Sequence, residues 1–309
     1  MAIVIYGGDR DIECWVDALK SVDSSLDIRA YPEVGDKNEI TFAISWTYPH
    51  GLWNDFPNLK AISSIGAGVS HILSDENLPE GLPVLKLTDS GLNQSMFEYI
   101  LSTVSYQAMR LHRFQEFQKQ STWDEILPRG FSGTTVGIFG LGSIGNYVAT
   151  RLATLGFEVM GFANSPKEIE GVTVYTSSEV TEAVMQRLDV VVSILPLTSQ
   201  TENMFDRDFF AQLQRGATFI NVGRGPQVVE VDLVEALNSG QLSHAYLDVF
   251  REEPLPSVHD FWSHPQISVT PHIASITDPM SVAAQIVENY QRISDGLAPH
   301  NVVDRTIGY

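Results

Sequence analysis

Three residues in the second half of the chain could do chemistry together. Arg224 lies between glycines in Asn221-Val222-Gly223-Arg224-Gly225, Glu253 precedes a proline in Glu252-Glu253-Pro254-Leu255, and His272 follows one in Thr270-Pro271-His272-Ile273-Ala274. A planar guanidinium can fork onto a carboxylate and a carbonyl oxygen. An imidazolium can protonate a developing alkoxide, and a carboxylate on its far ring nitrogen stabilises the charged ring and fixes its orientation. Hydride transfer to a 2-keto acid calls for such a set. Taken singly, each has a plainer reading: a solvated turn arginine, a loop acid, a histidine at a strand end. No zinc site is expected, because His259, His264 and His272 lack metal-ligand spacing.

A hydride needs a carrier, and the chain has a place for one. In Thr135-Val136-Gly137-Ile138-Phe139-Gly140-Leu141-Gly142-Ser143-Ile144-Gly145 a β-branched run breaks into G-x-G-x-x-G, and a helical stretch follows to Leu155. Strand, tight turn and helix make a dinucleotide site, with the pyrophosphate on the helix N-terminus. The next strand should end in an acid if the ribose 2′-hydroxyl is to be bound. Here it runs into Ala163-Asn164-Ser165-Pro166-Lys167 instead. Without an acid to repel a 2′-phosphate, and with Asn164, Ser165 and Lys167 as donors, NADP(H) is preferred and NAD(H) remains possible. Hydrogen bonds to a charged group contribute about 1.5–3 kcal/mol each, so a preference of roughly 10- to 100-fold is expected.

These residues need a frame. A chain of 309 residues exceeds the size at which one core normally suffices, so two domains are expected. Short β-rich runs alternate with helix-like stretches throughout, which implies parallel sheets with helices on both faces. The expected fold class is α/β, as two Rossmann-like or flavodoxin-like doubly wound domains. The first covers 1–98 completed by 282–309, and the second, dinucleotide-binding domain covers 99–281. In such sheets ligands bind beyond the carboxyl ends of strands, where Arg224, Glu253 and His272 are each expected. In the first domain the loop Gly66-Ala67-Gly68 also follows a strand and could present backbone N–H groups to an anion. Ser95 and Glu98 form a capping-box pattern that predicts a long helix to about Lys119, buried on two sides as a domain link or a dimer surface.

The formal net charge of −19 argues against nucleic acid or an anionic membrane as partner. One cysteine, Cys14, fits a reducing compartment, and no apolar run reaches the length of a signal peptide core or membrane helix. A cytoplasmic protein is expected.

Together these motifs resemble the D-isomer-specific 2-hydroxyacid dehydrogenase family, and within it the glyoxylate/hydroxypyruvate reductase A branch. The similarity runs through Ile65 to Val69, Met96 with Glu98-Tyr99, the glycine turn, Asn221 to Gly225, Leu247-Asp248-Val249-Phe250 with Glu253 to Pro256, Thr270 to Ala274, and the tail Val303-Asp304-Arg305 ending in Gly308-Tyr309. The resemblance implies that Arg224 binds substrate and that Glu253 and His272 form the acid/base pair. It implies a substrate carboxylate on the Gly66-Ala67-Gly68 loop, with Trp46 walling the pocket. Around the cofactor it implies Gly140, Gly142, Ser143, Ile144, Gly145, Leu195, Pro196, Thr201, Val222, Gly223, Arg224, Asp248, His272 and Ala274, with Asp248 on the nicotinamide amide. A homodimer through the cofactor domain and a cleft that closes on substrate are also implied. Two positions depart from the pattern: Ser70-His71 stands where the family usually has an acid, and Asn164 where the branch commonly has an arginine. The alternative reading is a dinucleotide-sensing, corepressor-like protein without turnover.

Overall fold

The computed structural model describes residues 2–8, 11–66, 68–88 and 90–305. Ala67 of the glycine loop and the terminal Gly308-Tyr309 pair lie outside the described residues. The chain divides into two compact units, Met1–Leu92 with Ile276–Tyr309, and Asn93–Ser275.

In the first unit β1 (Ala2–Tyr6), α1 (Glu13–Val22), β2 (Ile28–Ala30), β3 (Ile40–Ser45), β4 (Ala61–Ser64), α2 (Ser70–Leu73) and β5 (Val84–Leu85) follow in order. All five strands are parallel, in the order β2-β1-β3-β4-β5. β1 and β3 read as continuous apolar runs rather than alternating ones because both faces of the sheet are covered. Ile3, Ile5, Phe42 and Ile44 pack with Trp15 and Leu19 of α1 and with Ile286 and Val287 near the C-terminus. Val4, Ala43 and Ile62 pack on the other side with Trp53, Phe56 and Ile72. Between β3 and β4 the chain makes only a single 3₁₀ turn, Leu52–Asp55.

The second unit opens differently from the expectation. α3 (Ser90–Ala108) begins five residues before the predicted cap, so Ser95 is interior to the helix, and the Glu98 carboxylate accepts from the Gln94 side-chain amide at 2.7 Å. Helix and capping-box patterns share the same residue types, and nothing local ranks one possible start above another. Nor does the helix run on to Lys119. Arg110 takes a left-handed conformation, φ 55°, and a separate α4 (Leu111–Lys119) leaves at that point.

A seven-stranded parallel sheet follows: β6 (Thr135–Phe139), α5 (Ser143–Thr154), β7 (Glu158–Ala163), β8 (Val172–Thr176), α6 (Glu182–Met185), β9 (Val190–Ser193), α7 (Arg207–Ala211), β10 (Ala217–Asn221), α8 (Glu230–Asn238), β11 (Leu242–Leu247) and β12 (Ile267–Val269). The spatial order is β12-β11-β10-β9-β6-β7-β8. Strand order reverses between β6 and β9, which is where doubly wound sheets open a ligand crevice. Asp206 caps α7, its carboxylate accepting from Phe209 N–H at 2.9 Å, as its place before the helix predicts. β11 stops at Leu247, which leaves Asp248, Val249 and Phe250 outside the strand to shape the rim. A final helix, α9 (Pro279–Ser294), is capped by Asp278 and returns to the first unit. Among the described residues no helix is long and apolar enough to cross a membrane.

Candidate active site

The glycine turn is built as a phosphate cradle. Gly140 leaves β6 at φ 103°, and a Cβ on Gly145 would stand 1.8 Å from the Gly140 carbonyl oxygen, so only glycine lets α5 close on the strand. A Cβ on Gly142 would meet nothing, so the approach to the backbone is open there. No side chain caps α5; Ser143 and Ile144 begin its first turn, whose N–H groups suit a pyrophosphate through hydrogen bonding and the helix dipole. The residues present thus fit a dinucleotide.

Asn164, Ser165 and Lys167 follow β7 and are exposed. The Lys167 ammonium donates to the Leu141 carbonyl at 2.5 Å, which holds its charge over the glycine turn. On the opposite side of β6, beyond β9, Leu195 and Pro196 point their carbonyls at the Gln227 amide, 3.0 Å each. The Thr201 hydroxyl donates to the Pro196 carbonyl at 2.7 Å and so closes this turn.

Arg224 is positioned by two buried amides that sequence reading missed. Asn221 at the end of β10 accepts from Gly223 N–H at 3.0 Å and donates to the Arg224 carbonyl at 3.1 Å. Gln227, 0% exposed, accepts from Arg224 N–H at 3.1 Å. A glutamine two residues beyond a Gly-Arg-Gly turn looks like any solvated loop residue; only its complete burial reveals it as a hub. Gly225 packs so tightly that a Cβ would stand 1.9 Å from the Phe250 carbonyl carbon. The guanidinium donates to the Gly223 carbonyl at 2.6 Å. Burial pushes it down from its ordinary value and Glu253 opposes that shift, though arginine stays charged.

Glu253 and His272 meet. Glu253 Oε2 lies 2.7 Å from His272 Nδ1, and Oε1 accepts from Phe250 N–H at 2.9 Å. Burial would raise the Glu253 carboxyl, but the His272 hydrogen bond and charge, the Phe250 N–H and Arg224 outweigh it and hold it below its usual value. An ionised Glu253 keeps the proton on Nδ1, so the proton that can be given away is the one on Nε2. His272 itself has φ 55°, a left-handed backbone that costs a non-glycine residue on the order of 1–2 kcal/mol.

Asp248 is what holds that conformation. It is 1% exposed; Oδ1 accepts from Thr270 Oγ1 at 2.6 Å and Ile273 N–H at 2.9 Å, and Oδ2 accepts from Ala274 N–H at 2.9 Å. Its own carbonyl accepts from His272 N–H at 2.9 Å. Three of the carboxylate's acceptor positions are thus spent on the Thr270–Ala274 turn. Burial raises its carboxyl above the ordinary value against these donors and the nearby His272 charge. Val222 and Ala274 are buried.

In the first unit Trp46 packs on His71 with the rings tilted at 37° and their centroids 4.2 Å apart, and its ring edge lies against Gly66. His71, the departure from the family pattern, is thus a ring packed at an angle against the indole. Gly66 N–H donates to Ser64 Oγ at 3.1 Å, so this member of the expected anion loop is already committed; Ser64 Oγ in turn donates to the Gly68 carbonyl at 2.8 Å. No group of three or more metal-ligating side chains occurs among the described residues.

The model of the D-isomer specific 2-hydroxyacid dehydrogenase NAD binding domain matches residues 101–274. The chain is 37% identical to glyoxylate/hydroxypyruvate reductase A of Yersinia enterocolitica and 38% identical to that of Serratia proteamaculans, in each case over 100% of both proteins. Among solved structures it is similar to a D-isomer specific 2-hydroxyacid dehydrogenase from Xanthobacter autotrophicus in complex with NADPH and MES, with TM-score 0.93 and 38% identity over 100% of this chain and 99% of that one. It is also similar to an NADPH-dependent glyoxylate/hydroxypyruvate reductase from Sinorhizobium meliloti in complex with NADP and sulfate, with TM-score 0.92 and 32% identity over 100% and 99%.

Proposed function

The chain belongs to the D-isomer specific 2-hydroxyacid dehydrogenase family and is an oxidoreductase, and from that premise we propose that it reduces glyoxylate and hydroxypyruvate to their D-2-hydroxy acids. The observation that carries this reading is the 2.7 Å contact of Glu253 with His272 Nδ1, set close to the Arg224 guanidinium and in the same unit as the glycine turn. A bound NADPH supplies the hydride at the substrate carbonyl carbon. Arg224 binds the carboxylate and polarises the carbonyl oxygen. His272 donates its Nε2 proton to that oxygen as negative charge develops, and Glu253 holds the imidazolium. For the substrate carboxylate the loop after β4 offers Gly68 N–H, for which no acceptor is found among the described residues, and Trp46 is assigned as the pocket wall.

Initial rates with glyoxylate, hydroxypyruvate, pyruvate and a phenyl-substituted keto acid, each with NADPH and NADH, test the proposal. Fast turnover of the two small polar substrates supports it. Measurable dinucleotide binding with no turnover of any keto acid overturns it in favour of a sensor.

NADPH is the preferred cofactor in this reading, on the absence of an acid after β7 and the placement of Lys167. Lys167→Met should raise KM for NADPH about 10-fold or more, the loss of one charge-assisted hydrogen bond, and leave KM for NADH within about threefold. Equal effects on both cofactors would remove Lys167 from 2′-phosphate binding.

A homodimer through the cofactor domain is also proposed. Around α4 and the segment after it Met109, Leu111 and Phe114 are exposed, with Trp123 at 93% and Leu127 at 83%. Large apolar side chains so exposed in one stretch mark an interaction surface. Trp123→Glu combined with Leu127→Glu should halve the mass seen by sedimentation; an unchanged mass places the interface elsewhere.

A further inference from the structure

The hydrogen bonds around His272 do not end at Asp248. Thr270 Oγ1 gives its single proton to Asp248 Oδ1 at 2.6 Å, so its lone pair is left to accept from the Tyr99 hydroxyl of α3, 2.8 Å away. Tyr99 therefore donates to Thr270 and Thr270 to Asp248, whose carboxylate also accepts from the two N–H groups that follow His272. Burial keeps the Tyr99 hydroxyl protonated, its pKa pushed up to about 12. The groups that face Asp248 are thus Tyr99 from α3 and His272 from the turn after β12. Glu253 lies across the ring of His272, and Arg224 acts on Glu253.

We infer that Thr270, backed by Tyr99, is a positioning residue for the proton transfer: its hydroxyl keeps the Asp248 carboxylate bonded to Ile273 and Ala274 N–H and so holds His272 in the left-handed turn that brings its ring to Glu253. The inference rests on His272 being the proton donor proposed above. A carboxylate accepts well from two N–H groups at once, whereas a protonated carboxyl keeps only part of that capacity. The turn is therefore secure while Asp248 is ionised and loosens as it is protonated. The Thr270 hydrogen bond is the largest influence that opposes burial and keeps the Asp248 carboxyl from rising further. Removing it moves protonation of Asp248 to higher pH, so the loss of activity on the acid side sets in at higher pH. Neither Thr270 nor Tyr99 contacts Glu253, whose own titration is not moved directly.

The test compares kcat, KM and their pH profiles for Thr270→Val, Thr270→Ser, Tyr99→Phe and His272→Asn, with glyoxylate and NADPH. Thr270→Val is expected to lower kcat at neutral pH about 10-fold, leave KM for glyoxylate within about threefold, and shift the acid limb upward by half a pH unit or more. Thr270→Ser, which keeps the hydroxyl, restores the limb, and Tyr99→Phe shifts it in the same direction by less. A purely structural loss would lower activity evenly without moving the limb. An unmoved limb in Thr270→Val, with His272→Asn inactive, overturns the inference while sparing the proposed chemistry. Turnover by His272→Asn removes the chemistry and the inference with it. Where Thr270→Val does not fold, an unmoved limb in Tyr99→Phe is the overturning result.

Discussion

Replacing His272 by asparagine is expected to lower kcat for glyoxylate reduction by about 10²–10⁴, the range a positioned general acid contributes. NADPH should still bind with its affinity changed by less than about twofold. Asparagine is the informative substitution because the position has φ 55°. Asparagine visits the left-handed region readily, so the turn clamped by Asp248 should persist. Alanine would lose the proton donor and strain the backbone together, and the two effects could not be separated. The measurement is single-turnover NADPH oxidation beside a fluorescence titration of the dinucleotide. A variant that keeps a tenth or more of the wild-type rate would move the acid to another group.

The second large effect falls on Arg224. Arg224→Gln should lower kcat/KM for glyoxylate by about 10²–10⁴, since two charge-assisted hydrogen bonds at about 1.5–3 kcal/mol each are lost to substrate and to the developing charge. Arg224→Lys should recover only part of this, because an ammonium is a point charge and cannot present a planar fork. The backbone of the loop is held by Asn221 and Gln227 rather than by the guanidinium, so both variants should fold. Thermal melting curves alongside the kinetics separate the two effects. Lys and Gln variants of equal activity would show that charge at Arg224 is not what substrate reads.

How much of this could be read from the amino acids depends on how local each signal is. The glycine turn was legible because each glycine answers a constraint set within a few residues: a positive φ at Gly140 and contact between Gly145 and the Gly140 carbonyl. Asp206 and Asp278 before Pro279 are helix caps of the same local kind, each carboxylate accepting from an N–H two or three residues on. Ser95 was misleading. It has the right neighbour in Glu98, but α3 had already begun, and the break at Arg110 comes from a single left-handed residue that composition does not announce. β8 passed unnoticed because its run, Val172-Thr173-Val174-Tyr175-Thr176, is half exposed at the edge of the sheet and carries little apolar weight. Within the site, Arg224, Glu253 and His272 stand out by chemical type and by their place after strands. Gln227, Asn221, Thr270 and Tyr99 are ordinary polar residues whose importance arises from burial and from partners far along the chain. The Asp248 carboxylate is turned inward by donors that lie more than twenty residues later, a fact that no local pattern contains.

The contact of Gly225 with Phe250 limits how such a protein can be rebuilt. Phe250 carbonyl carbon sits where any side chain at 225 would begin, and Phe250 N–H holds the Glu253 carboxylate. The loop that carries Arg224 and the loop that carries Glu253 are therefore one mechanical part. Shifting one to fit a new substrate drags the other away from His272, so any redesign for a larger keto acid has to leave this joint alone and find its room elsewhere.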